Sequence, residues 1–158
     1  MKTLIIYASK YGSTKDCASY LKNKLEGETT IFDIKDINKD MNLNQYDTII
    51  LGSSIYVGQI GKKLKLFITE NIDILMKKKV GIYLCCGQAD QLEEVINLNF
   101  PKELADYAKI IKSFGGEARL DKMKFLDKTV IKAVTKGDFS KFKISETAMD
   151  EFVRELTN

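Results

Sequence analysis

Leu4-Ile5-Ile6-Tyr7-Ala8-Ser9-Lys10-Tyr11-Gly12-Ser13-Thr14 runs apolar without alternation, then breaks into hydroxyls and a single glycine. An unalternating apolar run suits a strand covered on both faces, the condition of a parallel sheet flanked by helices. Past Ala8 the chain offers the side-chain oxygens of Ser9, Ser13 and Thr14, and Gly12 lets the backbone turn its N–H groups inward. N–H groups gathered at a helix N-terminus favour an anion. The same residues also make an ordinary helix cap, so the rest of the chain has to decide between the two readings.

Working outward, Cys17, Ala18, Leu21 and Leu25 recur at helical spacing, with Asp16 in the first turn and Gly27 past the end, and predict a helix from Ser13 to Glu26. Thr29 to Ile34 and Tyr46 to Gly52 read as strands, the latter running into Ser53-Ser54. Leu64, Phe67, Ile68, Ile72 and Leu75 share one face of a helix after Gly61, and Val80 to Cys85 is a fourth strand. Pro101 opens a helix in which Leu104, Tyr107, Ala108, Ile111 and Phe114 share a face, closed by Gly115-Gly116. Glu117 to Phe125 then reads as a fifth, less apolar strand at an edge, and Ser145 caps a last helix carrying Met149, Phe152, Val153 and Leu156. Strands alternating with helices give an α/β fold, a doubly wound parallel sheet of order 2-1-3-4-5.

Composition narrows the function. The expected organisation is one domain over residues 1–158, with a basic helical insertion near 125–140. No stretch approaches the ~20 apolar residues of a membrane span, and the first apolar run lacks the flanks of a secretory leader, so the expected location is the cytoplasm. Three cysteines without metal-ligand spacing and no histidine argue against a disulfide framework, a zinc site or any imidazole base. No metal is expected. A net charge of +3, without aromatics interleaved in a basic stripe, gives no footprint for nucleic acid.

Ligands of such sheets bind at the strands' C-terminal ends, where three polar loops fall: Ser9 to Thr14, Ser53 to Gly61, and Cys86 to Asp90. The first has too few glycines for a dinucleotide fingerprint and lacks the G-x-x-x-x-G-K-[ST] of a nucleotide P-loop. A phospho-acceptor receiver needs acids after the first and third strands, where Ala8-Ser9 and Gly52-Ser53 stand. What remains suits the terminal phosphate of a mononucleotide, held by N–H and O–H donors.

Tyr7 to Thr14 resembles the FMN phosphate loop of flavodoxins, close to S/T-x-x-G-x-T, and Leu51-Gly52-Ser53-Ser54-Ile55-Tyr56 resembles that family's second loop. Within it, Met1 to Ile5, Ala18 to Leu21, Ser53 to Ile55 and Leu126 to Lys132 are most similar to the menaquinone-dependent protoporphyrinogen IX dehydrogenases. The resemblance implies a flavodoxin-like fold with FMN as cofactor. It implies that Ser9, Lys10, Tyr11, Gly12, Ser13 and Thr14 hold the phosphate, that Ser53 and Ser54 lie near the ribityl chain, and that Tyr56 stacks on the ring. Ile55, Val57 and Gly58, with Cys86, Gly87, Gln88 and Asp90, complete the implied site. Val57 stands where many flavodoxins have glycine; its φ is expected to stay negative, leaving Gly58 to supply φ > 0 in a type II turn. Two activities stay open: an oxidoreductase passing electrons to a quinone, and a carrier that docks on a protein redox partner.

Three readings concern the remaining chemistry-bearing residues. Cys17 is expected to pack as a core hydrophobe, and Cys85-Cys86 to be structural. Arg119 to Lys143 holds eight basic side chains against three acidic ones. Lys128, Lys132 and Lys136 recur every four residues opposite Leu126, Val130, Ala133 and Val134, so the segment is either a contact for an anionic membrane surface or partner, or a solvated face.

Overall fold

The computed structural model describes residues 1–158 apart from Lys39, Gln88 and Lys141. Five strands, β1 (Lys2–Ala8), β2 (Glu28–Asp33), β3 (Thr48–Ser54), β4 (Lys79–Cys85) and β5 (Ile110–Ser113), form one parallel sheet in the order β2-β1-β3-β4-β5. Among the described residues seven α-helices connect and cover them: α1 (Ser13–Lys24), α2 (Lys62–Glu70), α3 (Ile72–Leu75), α4 (Leu92–Asn99), α5 (Lys102–Tyr107), α6 (Phe125–Thr135) and α7 (Glu146–Thr157). The order is the one the sequence predicts.

Strand alternation sorts the apolar residues onto the sheet's two faces. Leu4, Ile6, Ile49, Leu51, Ile82 and Leu84 pack with Leu64 and Ile68 of α2, Val95 of α4 and Leu104 of α5. On the other face Ile5, Tyr7, Ile50 and Tyr83 pack with Cys17, Ala18 and Leu21 of α1 and Met149, Phe152 and Leu156 of α7. Because both faces are covered, β1, β3 and β4 read as continuous apolar runs.

The register levels the strand ends: Tyr7 pairs Gly52, Ala8 pairs Ser53, and Ser54 pairs Cys85. The loops that follow β1, β3 and β4 therefore leave the sheet side by side. Tyr83, fully buried, stacks on Phe114 at 4.9 Å and donates its hydroxyl to the Thr14 carbonyl at 2.9 Å, which fastens the first turn of α1 to the sheet. Gly52 makes this possible, since a Cβ there would overlap the Tyr83 ring.

The sequence misplaces the fifth strand. Helix α5 ends at Tyr107 and the chain extends at Ala108, whose ψ is 131°, so that Ile110 to Ser113 pairs with Gly81 to Leu84. Ile111 and Phe114 fell on the helical spacing of Leu104 and Ala108 by coincidence of period, and Lys112 disguises the strand because it points out to Glu151 of α7 at 2.6 Å. Glu117 to Lys124, expected to be strand, is instead an irregular segment crossing back over the first loop. Ser145 caps α7 as predicted, accepting from the Ala148 N–H at 3.1 Å. Among the described residues no helix is long and apolar enough to cross a membrane.

Candidate functional site

Gly12 is the N-cap of α1 with φ 102°, a conformation that needs glycine, and its N–H donates to Ser9 Oγ at 3.0 Å. Ser9 thus shapes the loop from within. Thr14 Oγ1 is buried and has no hydrogen-bond partner. An orphaned hydroxyl in a helix's first turn is costly unless something completes it. Ser13 Oγ donates to Glu117 at 3.2 Å.

Arg119 is a member of this loop that spacing did not reveal. Its guanidinium binds Asp16 at 2.6 Å and Glu117 at 2.7 Å, and Nη1 lies 2.7 Å from where a Gly12 Cβ would be. A cation therefore rests on the N-terminal turn of α1. Read as a strand residue, Arg119 gave no sign of this; only the irregular path of residues 117–124 delivers it.

The second loop departs from expectation. Tyr56 and Gln59 exchange both backbone hydrogen bonds at 3.0 Å across Val57 (φ 49°) and Gly58 (φ 70°), so the turn has two positive φ values, as in type I′. Val57 does not keep a negative φ. Asn99 of α4 enforces the turn, its Oδ1 accepting from the Ile60 N–H at 3.1 Å and its Nδ2 donating to the Gly58 carbonyl at 2.8 Å. Tertiary contact has overridden the local preference of a β-branched residue. Ser53, expected near a ligand, is fully buried, accepts from the Gly61 N–H at 3.1 Å and donates to the Ser54 carbonyl at 2.9 Å. Its work is to hold the loop.

Helix α6 roofs the two loops. Asp127, in its first turn, accepts hydrogen bonds from the phenols of Tyr11 and Tyr56 and pairs with Lys10 Nζ at 2.7 Å. The same ammonium lies 3.6 Å from the centroid of the Tyr56 ring. Lys10, Tyr11 and Tyr56, in that order of effect, hold the Asp127 carboxyl far below the usual carboxylate range. The bond to Asp127 in turn pushes the Tyr56 phenol up; burial and then the same bond do so for Tyr11.

Two neighbouring hollows lie beneath this roof. One, of about 90 Å³, is bounded by Ser9, Tyr11, Ser13, Thr14 and Ser54; the other, of about 230 Å³, by Tyr56, Val57, Gly58, Cys86, Val130 and Val134. Both are lined by Ile55, Tyr56, Gly87, Ile131 and Phe142. Gly87 is needed there because a Cβ would run into the Phe142 ring. Asp90 lines neither hollow and is exposed, a correction to its expected place, and Gln88 lies outside the described residues.

The residues present fit a mononucleotide. The narrow hollow offers an unpartnered Thr14 hydroxyl at a helix N-terminus with Lys10 on its wall, which suits a phosphate; Glu117 also lines it, paired with Arg119. The wider one is an apolar slot against Tyr56, which suits a flat ring. Among the described residues no cluster of His, Cys, Asp or Glu could hold a metal ion.

Three comparisons bear on this geometry. Protoporphyrinogen IX dehydrogenase [quinone] of Escherichia coli (strain K12) is 27% identical over 85 residues, covering 52% of this chain and 47% of that protein. The chain spans about half the length of the curated relatives it matches. A WrbA-like flavodoxin from Agrobacterium tumefaciens superposes with a TM-score of 0.54 at 18% identity, covering 99% of this chain and 95% of that one. The flavodoxin of Fusobacterium nucleatum bound to flavin mononucleotide does so with a TM-score of 0.52 at 14% identity, again covering 99% and 95%. At such identities the likeness is one of fold. The Flavodoxin domain family matches residues 4–144, nearly the whole length, and with the sheet order and loop geometry above this chain belongs to that family.

Proposed function

We propose that this chain binds FMN across the two neighbouring hollows and works as an oxidoreductase of the protoporphyrinogen dehydrogenase kind, passing electrons to a quinone. The observation that carries the cofactor reading is a small hollow with an unpartnered Thr14 hydroxyl that shares five lining residues with a wider slot against Tyr56. When bound, FMN supplies reversible one- and two-electron chemistry that no side chain here can. Thr14, Ser13 and the loop N–H groups bind the phosphate; Ser9 and Gly12 shape that loop. Ser54 faces the ribityl chain, and Tyr56, Ile55, Val57, Gly58, Cys86 and Gly87 orient the ring. Helix α6, through Ile131, excludes water from above.

Two observations favour the enzyme over a protein-docking electron carrier. The sequence match to the dehydrogenase is one. The other is the roof itself, which leaves Phe125 and Leu126 exposed between lysines, as suits seating on an anionic membrane surface, at its inner face, where a quinone is reached. Anaerobic incubation of the FMN-loaded protein with protoporphyrinogen and a menaquinone analogue tests the activity. Porphyrin formation that requires the quinone supports the enzyme; none, with retained yellow colour and electron delivery to a protein acceptor, supports the carrier. Flotation with anionic and neutral vesicles tests the membrane contact.

A further inference from the structure

Tyr83 and Cys85 point to the same face of β4, and Thr14 and Cys17 lie one helical turn apart among the buried residues of α1. Two contacts join this helix to this strand: the Tyr83 hydroxyl on the Thr14 carbonyl at 2.9 Å, and Cys17 Sγ at 3.8 Å from Cys85 Sγ. The threonine that the proposed function places on the phosphate is thus one turn away from a pair of touching thiols.

Packing alone does not ask for two sulfurs. Both thiols are buried in the cluster that holds Ile5, Ala18, Ile50 and Phe114, where small apolar side chains would serve as well. Two observations give the pair a chemistry of its own. Cys85 also lines the small hollow beside Ser13 and Thr14, so a solute little larger than water meets it there. With Cys17 as donor, the contact between the sulfurs holds the Cys85 thiol down and pushes the Cys17 thiol up. One sulfur is therefore the nucleophile, and the other stands within reach to complete a bond with it. Cys86, next in the chain to Cys85, could close only a strained bridge with it.

We infer that Cys17 and Cys85 form a site of reversible oxidation by hydrogen peroxide, and that the resulting disulfide disables the phosphate loop. The Cys85 sulfur attacks the O–O bond, becomes a sulfenic acid and releases one water. The Cys17 sulfur then displaces that hydroxyl, which leaves with the Cys17 proton as a second water. Two thiols give up two electrons and two protons, one peroxide becomes two waters, and a dithiol reductant reverses the change. A disulfide needs its sulfurs at about 2 Å, so the new bond draws Cys17 toward β4 and carries Thr14 out of its place in the hollow. A phosphate in that hollow covers Cys85, so bound FMN shields the pair. The oxidation stands on the thiol geometry alone; the shielding and the loss of cofactor affinity rest on the proposed function.

Full-length protein freed of flavin by acid precipitation and refolded is treated with hydrogen peroxide, then denatured in urea with iodoacetamide. Mass spectrometry should show alkylation at Cys86 alone and a peptide linking Cys17 to Cys85, with dithiothreitol restoring all three thiols. In Cys17→Ala no link forms, and oxygen should accumulate on Cys85. FMN added before the peroxide should slow the link at least about tenfold, and linked protein should bind FMN at least about tenfold more weakly than reduced protein. Three alkylated thiols after excess peroxide, or a link through Cys86 or between two chains, overturns the inference. Equal FMN affinity of linked and reduced protein overturns the effect on the loop. Reduced protein that binds no FMN defeats the function proposed above, while the thiol count still decides the oxidation.

Discussion

Tyr56 and Asp127, 71 residues apart in the chain, are joined by a hydrogen bond from phenol to carboxylate. With Tyr11 and Lys10 on the same carboxylate, the roof helix is latched to both loops beneath it. Asp127→Asn removes the ion pair and weakens both phenol bonds. Hydrogen exchange over residues 125–135 should speed up several-fold, with the sheet unaffected.

The latch also has a pH signature. A carboxyl held below its ordinary value contributes stability that is fully present above about pH 4 and is lost as pH falls through the depressed value. The protection factor of α6, its exchange rate relative to the intrinsic rate at each pH, should therefore be flat from neutrality to about pH 4 and fall only in stronger acid. A loss of protection near pH 6 would show that Asp127 is not the group in control.

Thr14→Val separates folding from binding. The hydroxyl is buried without a partner, so its loss should leave stability to urea equal or raised by about 1 kcal/mol. FMN affinity should fall about tenfold or more, because a hydrogen bond to a charged phosphate is lost. Equal FMN affinity in the two proteins would remove the phosphate from this loop.

Val57→Gly relieves a β-branched residue held at φ 49°, and Asn99→Ala removes what holds it there. The first should stabilise by about 1 kcal/mol, since glycine meets the positive φ without strain at some entropic cost. The second should destabilise by about 2 kcal/mol through unmet buried backbone groups. Urea unfolding of both variants checks the opposite signs.

All three cysteines are buried thiols, and Cys17 Sγ lies 3.8 Å from Cys85 Sγ. The contact with Cys85, followed by burial, pushes the Cys17 thiol up. Iodoacetamide at pH 8 should leave native protein unmodified, whereas urea should expose all three thiols to it.

The sheet was legible because β1, β3 and β4 are buried on both faces and carry apolar runs that no other element produces. β5 was not, since four residues with Lys112 among them say less than the helical spacing they accidentally continue. In the site, Ser9, Gly12 and Thr14 lie where local sequence puts them. Ser53 and Val57 differ because Gly61 and Asn99 act on them from a distance. Arg119 and Asp127 belong to segments whose composition marks them as basic surface, and only the path of the chain after β5 brings them over the loops. The apolar residues of α6 divide: Val130, Ile131 and Val134 line the slot, while Phe125 and Leu126 stay exposed on either side of Asp127 and its polar partners.

A roof fastened by the floor's own side chains ties departure to motion. A molecule resting in the two hollows would share Tyr11 and Tyr56 with the latch, so the proposed site predicts a residence time set by how often α6 lifts. Apoprotein made by gentle dialysis should accordingly be hard to obtain, and exchange with free flavin should keep pace with the opening of one helix.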